Sequence, residues 1–197
     1  MRPSVYVSAL LVFQACASGD AQIVPVMGDV TVAAEETVYR IAGRSEDQLL
    51  DQMMMLGPTV SGQRFFAYTS WRVRLSAERD TATAECEIIR WHVFLDVTTT
   101  LPEWQPSSDV ASSLSEMWDS FLNSLRDHEE GHKRLAVDGA KKVLRVLQQM
   151  SRKPCDEAEA AARRATASIF GRARARSSGY DRATEHGASM GAIWPWR

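Results

Sequence analysis

Apolar and polar residues alternate along three stretches of the chain, the pattern of half-buried strands. These stretches are residues 37–41, 64–75 and 84–98, and the longest has one apolar face made of Ile89, Trp91, Val93, Leu95 and Val97. The second and third stretches predict an antiparallel hairpin, which the first would extend. Pro102 and Pro106 are expected to end the sheet, because proline cannot donate to a ladder.

A helical period follows in other parts of the chain. Ser45 and Gln48 form a capping box before an apolar run that stops at Gly57-Pro58, so a first helix is predicted there. A stripe with a 3.6-residue period then runs from Val110 to Met150. One unbroken helix of that length would measure about 60 Å.

The last quarter of the chain is expected to hold one more helix, from Asp156 to Phe170, ending before Gly171. Residues 172–197 show little periodicity and predict an irregular tail. The fold class is therefore α+β, with a small antiparallel sheet of about three strands packed with a long helix and two or three further helices.

The first residues have the features of a secretory signal: a positive charge at Arg2, an apolar run over 5–13, and small residues at Ala15 and Ala17. A leader is predicted over 1–21 and one domain over 22–197, in a secreted or periplasmic protein without stable membrane insertion after leader removal. The alternatives are a buried first element and lipid attachment at Cys16.

Leader removal would leave the cysteines Cys86 and Cys155, which predict one disulfide in an oxidising compartment; two buried free thiols are the alternative. Lys and Arg total 23 against 25 Asp and Glu, and the net charge of −2 gives no field that attracts nucleic acid.

The chemistry is concentrated in the segment His128-Glu129-Glu130-Gly131-His132. Histidines four apart on a helix share a face and can both reach one zinc ion at about 2.0–2.1 Å. Glu129 would act as the general base toward a zinc-activated water. The alternative is a pair of core histidines without metal, although the chain has only four histidines.

A hydrolytic zinc site usually has three protein ligands, and the third must come from another segment. His186, Asp138, Glu157 and Glu159 are the candidates. Because the apolar stripe continues past Asp138, the helix should continue too and keep that carboxylate away, which favours His186. His92 alternates within a strand and is interpreted as a surface or cross-strand residue.

The order of several motifs resembles a bacterial family of unknown-function domains described as predicted secreted Zn-dependent proteases. The shared motifs, between about Val38 and Pro195, are Gly57-Pro58, Trp71, Cys86, Leu101-Pro102-Glu103-Trp104, Trp118 with Phe121, His128 to His132, Cys155, Tyr180, His186-Gly187 and Trp194-Pro195. The resemblance implies zinc ligation by His128 and His132, catalysis by Glu129, and a place in the site for His186. It also suggests that Tyr180 stabilises an oxyanion; the alternative, which the residue type alone favours, is an ordinary packing tyrosine.

These features together predict a secreted zinc metallopeptidase that acts on a peptide or protein substrate. Two other functions stay open: a non-catalytic zinc-binding envelope protein, and an amidase acting on cell-wall peptides.

Overall fold

The computed structural model describes residues 27–80, 86–150 and 154–194, so the predicted leader lies outside the described residues. The elements, in chain order, are the strand β1 (Met27–Ile41), the helix α1 (Glu46–Leu56), the strands β2 (Thr59–Val60), β3 (Gln63–Arg64), β4 (Tyr68–Asp80) and β5 (Glu87–Trp104), and the helices α2 (Ser112–Gln148) and α3 (Cys155–Thr184). A short 3₁₀ turn follows at Ala188–Met190. The α+β class is confirmed.

The main sheet has the order β1-β5-β4, and β2 pairs with β3 in a separate small hairpin. The predicted antiparallel hairpin of β4 and β5 is confirmed. However, β1 pairs with β5 in parallel, so the sheet is mixed and the expectation of an antiparallel sheet is wrong. The chain returns through α1 and β4 before it enters β5, and β5 therefore runs in the direction of β1.

The expectation that Pro102 ends the sheet is also wrong, because β5 continues to Trp104. β4 begins at Tyr68, opposite Thr100. Beyond Thr100 the central strand is paired only with β1, where Tyr39 lies opposite Pro102. Proline is tolerated there because that part of β5 has one open side.

The predicted capping box of α1 is present: the Gln48 amide donates to Ser45 Oγ at 3.3 Å, and the Gln48 side chain accepts from the Arg44 amide. The single long helix α2 is confirmed, and its apolar stripe packs on the sheet. Of the helices in the described part of the chain, none is long and apolar enough to cross a membrane.

The prediction that the last helix ends before Gly171 is wrong, because α3 continues to Thr184. A β-carbon at Gly171 would meet nothing within 4 Å, so this glycine only weakens the helix and does not break it. Packing holds the helix together across Gly171: Phe170 and Ala173 lie against Gly139 of α2. The first half of the tail that was expected to be irregular, residues 172–184, is therefore part of a helix packed against α2.

The predicted disulfide between Cys86 and Cys155 is confirmed and joins the start of β5 to the start of α3. It closes a loop with a sequence separation of 69 residues. Loop-closure entropy predicts that the double variant Cys86→Ser, Cys155→Ser loses about 4 kcal/mol of unfolding free energy. Urea denaturation of the oxidised protein and the variant measures this difference, and equal midpoints would contradict the prediction.

Candidate metal centre

Helix α2 carries His128, Glu129 and His132 in its middle, and all three are buried, with 3–6% of their surface exposed. The two imidazoles project from neighbouring turns of one face, and their ring centroids are 4.8 Å apart. The Nε2 atoms lie 3.2 Å from each other. The structure thus brings the predicted histidine pair together inside the protein.

Asp181, near the end of α3, completes this group. Its Oδ1 lies 3.3 Å from His128 Nε2 and 2.9 Å from His132 Nε2. Ligands of a tetrahedral zinc ion with bonds of 2.0–2.1 Å are about 3.3 Å apart. The triangle formed by these three atoms therefore has nearly the size of one face of a zinc coordination tetrahedron, and these residues can hold a metal ion.

The other ring nitrogens are held by hydroxyl groups of α3. His132 Nδ1 lies 2.8 Å from Ser177 Oγ, and His128 Nδ1 lies 3.3 Å from Thr184 Oγ1. The Thr184 hydroxyl donates to the Tyr180 carbonyl, so it accepts from His128. If Nε2 of His128 binds a metal, its proton would lie on Nδ1, and Thr184 Oγ1 is placed to accept it, as outer-shell partners do in metal sites.

The charge of Asp181 is stabilised by the two histidines. Burial raises the pKa of this carboxyl, but hydrogen bonds to His128 and His132 outweigh burial and hold the pKa well below its usual range. A carboxylate that stays ionised beside two imidazoles is a good ligand for a divalent cation.

Glu129 has a different environment from the three ligands. Within the described residues, one of its carboxylate oxygens, Oε2, is buried without a hydrogen-bond partner. Burial raises the pKa of Glu129, while Thr69 and the two histidines oppose the rise. A buried, unsatisfied carboxylate oxygen costs stability, and such groups are retained where chemistry uses them.

Tyr180 covers the histidine pair. Its ring stacks on His128 with centroids 4.9 Å apart and meets His132 edge-on at 5.1 Å. The ring lies over Gly131, where a β-carbon would come within 2.5 Å of Tyr180 Cζ. Alanine at the fourth position of the motif would therefore force the Tyr180 ring to shift.

Gly131→Ala should push the Tyr180 ring off the histidines and lower zinc affinity by about tenfold, the scale of outer-shell changes. The control is Gly171→Ala, an alanine at an exposed helix position with open space around it, which should leave affinity unchanged and add up to about 1 kcal/mol of stability. Competition with a chromogenic chelator measures both affinities. Equal affinities in the two variants would show that Tyr180 does not need its place above Gly131.

His186 does not belong to the ligand triangle, which is the group formed by His128 Nε2, His132 Nε2 and Asp181 Oδ1. Its side chain is 61% exposed, its Nδ1 lies 3.7 Å from Asp181 Oδ1, and its ring packs against Phe65 at 5.8 Å. The chain turns here through three left-handed residues, Glu185, His186 and Gly187. A β-carbon at Gly187 would lie 3.1 Å from His128, so this turn packs closely against the site.

The remaining candidates lie elsewhere. Asp138 is exposed on α2, and Glu157 is in the first turn of α3. Glu159 pairs with Arg79 at the far end of α3. His92 bridges the outer strands by contacts of 2.9 Å to Glu78 and 3.1 Å to Asp29, and these hydrogen bonds raise its pKa.

Asp181 is the candidate metal ligand that the sequence interpretation missed. The signal was present: Ser177, Tyr180, Asp181 and Thr184 follow the spacing of one helix face. Treating the tail as irregular concealed that spacing.

A family model described as "Bacterial protein of unknown function (DUF922)" matches residues 36–187. No curated protein and no solved structure matches the chain. The matched span includes both histidines, Glu129, Tyr180 and Asp181. Its description assigns no activity, so the chemistry has to be argued from the side chains.

Proposed function

This chain belongs to the bacterial family of unknown function DUF922, and we propose that it is a zinc-dependent peptidase whose metal ligands are His128, His132 and Asp181. One observation carries the proposal. Three ligand atoms lie 2.9–3.3 Å apart, next to a buried glutamate with an unpartnered carboxylate oxygen.

The ligand set supports zinc in a hydrolytic role. Two imidazole nitrogens and one carboxylate are the donors of catalytic zinc sites with an open fourth position, whereas structural sites are usually closed by four ligands, often cysteines. Both cysteines of the described residues are engaged in the disulfide. When bound, zinc would supply a Lewis acid that polarises a carbonyl and lowers the pKa of a coordinated water toward about 7.

Glu129 is the proposed general base. Its Oε2 has no competing partner, so this oxygen is free to accept a proton from the attacking water and to pass it to the leaving nitrogen. His128, His132 and Asp181 are not available as general bases, because each is a proposed metal ligand.

Tyr180 is the proposed donor to the developing oxyanion. Its hydroxyl has the Met190 thioether as its partner, at 3.2 Å. Thioether sulfur is a weak acceptor, so the O–H can be redirected to a substrate oxygen at little cost. The stack on His128 keeps the Tyr180 ring beside the proposed metal ligands.

We propose a secreted or periplasmic setting and a peptide or protein substrate. The leader-like first residues and the disulfide support this setting, since disulfides persist in oxidising compartments.

Elemental analysis combined with a substrate screen tests the function. Purified protein should contain about one zinc ion per chain, matching the one group of three ligands found among the described residues, and should cleave members of a panel of unstructured proteins and peptides. A chelator should abolish cleavage, and added zinc should restore it. Zinc without turnover on any substrate would favour a non-catalytic binding protein, and turnover confined to cell-wall peptides would indicate an amidase.

A further inference from the structure

The three proposed metal ligands differ in how far solvent reaches them. The side chain of Asp181 is 27% exposed, whereas those of His128 and His132 are 3% and 8% exposed. The Tyr180 ring covers the two histidines from one side. Solvent therefore reaches the ligand triangle mainly at Asp181, near the end of α3, and a substrate would approach from the same side.

The turn that follows α3 lies beside Asp181. His186, in this turn, has a side chain that is 61% exposed, and its Nδ1 lies 3.7 Å from Asp181 Oδ1. Met190 is 38% exposed, and its sulfur accepts from the Tyr180 hydroxyl at 3.2 Å. The Met190 amide donates to the Gly187 carbonyl at 2.9 Å, which closes the turn. Two exposed side chains therefore flank a metal ligand and the proposed oxyanion donor.

Phe65 reaches the same place from the sheet side of the molecule. It lies in the segment between β3 and β4, and its ring packs against His186 with centroids 5.8 Å apart. The Phe65 amide donates to the Pro58 carbonyl at 3.0 Å, and the ring also meets Tyr68 at 6.4 Å. Because Phe65 is only half-buried, part of a ring that is held by these contacts faces solvent beside His186.

We infer that a rim formed by Phe65, His186 and Met190 binds an aromatic or large aliphatic side chain of the peptide substrate, in a residue next to the cleaved bond. This inference rests on the proposed function, whose substrate it specifies. Clustered exposed apolar side chains mark binding sites, and aromatic rings and methionine suit a large apolar partner. The rim begins 3.7 Å from a metal-ligand oxygen. Because an extended residue spans about 3.4 Å, a side chain packed on the rim leaves the adjacent peptide bond within reach of the metal ligands.

Binding can be tested separately from catalysis, with zinc-loaded Glu129→Gln protein and fluorescence anisotropy. The probes are two fluorescein-labelled peptides of glycine and serine that differ only at one central position, which is phenylalanine or alanine. Removal of most of the phenylalanine side chain from water should make that peptide bind at least about tenfold more tightly than the alanine peptide. Equal affinities for the two peptides, or no saturable binding of either, would overturn the inference.

Phe65→Ala, made in the same protein, should reduce the preference for phenylalanine to less than about threefold, because one wall of the rim is lost. The matched control is Phe94→Ala, which removes another half-buried ring, one that contacts Arg74 and His92 on β4 and β5, and it should keep the full preference. Met190→Ala is a second test that does not depend on the folding of Phe65→Ala, and it should lower the preference by about threefold. Equal preferences in all three variants would contradict the assignment of the rim.

The cleavage products distinguish this inference from the proposed function. Mass spectrometry of a digested unstructured protein should find phenylalanine, tyrosine, leucine or methionine at one fixed position beside the cleaved bonds. Hydrolysis without a preference at any such position would refute the rim as a substrate site and leave the peptidase intact. Phenylalanine-selective binding by a protein that hydrolyses no substrate would refute the peptidase and leave the rim as a peptide-binding site.

Discussion

Replacing Asp181 with alanine should lower the zinc affinity of the protein by more than about a hundredfold, since even outer-shell changes cost 10–100-fold. The reason is geometric: Oδ1 of Asp181, on helix α3, lies within 3.3 Å of both histidine Nε2 atoms of α2. Without it two imidazoles remain, which is one ligand fewer than hydrolytic zinc sites have.

His186→Ala is the matched comparison for this experiment, because His186 was the third ligand expected from the sequence and its ring lies 3.7 Å from the same oxygen. Its exposed side chain lies outside the triangle, so its removal should change zinc affinity by less than about tenfold. Affinities are measured by chelator competition, with circular dichroism to verify that both variants fold. A larger loss for His186→Ala would mean that the turn at 185–187 rearranges to provide the ligand.

Glu129→Gln should reduce peptide hydrolysis by roughly 10²–10⁴-fold, the usual contribution of a general base. Glutamine keeps the shape and a hydrogen-bond acceptor for Thr69 but has no basic carboxylate oxygen. Zinc content should be unchanged, because Glu129 is not among the ligand atoms. Initial rates on the best substrate of the panel, together with elemental analysis, test both statements.

Glu130→Gln is the control for Glu129, since it makes the same chemical change one position along the helix. Glu130 is half-buried and pairs with Lys133 at 3.0 Å, so its loss should alter the rate by less than about fivefold. Equal losses in the two variants would remove Glu129 from the mechanism.

Local patterns predicted much of this architecture. The capping box at Ser45 and the long stripe of α2 depend on residues a few positions apart, and both were read correctly. The histidine pair was found for the same reason, since a spacing of four places two side chains on one helix face.

The wrong predictions concern features that are determined by tertiary contacts. Whether β1 runs parallel or antiparallel to β5 depends on the path between them, and Pro102 is tolerated because β4 starts late. α3 passes Gly171 because α2 supports it through Gly139. Asp181 could be placed only after that extension was known.

The two ends of α3 are fastened by different chemistry. Cys155 ties the first residue to β5, and Asp181 meets the histidines of α2 some 26 positions later, about 39 Å along the axis. The disulfide restricts the orientations that α3 can take relative to the rest of the protein. The Asp181 carboxylate therefore has a high effective concentration at the two histidines, and less conformational entropy is lost when zinc binds. Oxidation of the cysteines should therefore act as a chelate effect at a distance, so the oxidised protein should bind zinc more tightly than the reduced protein.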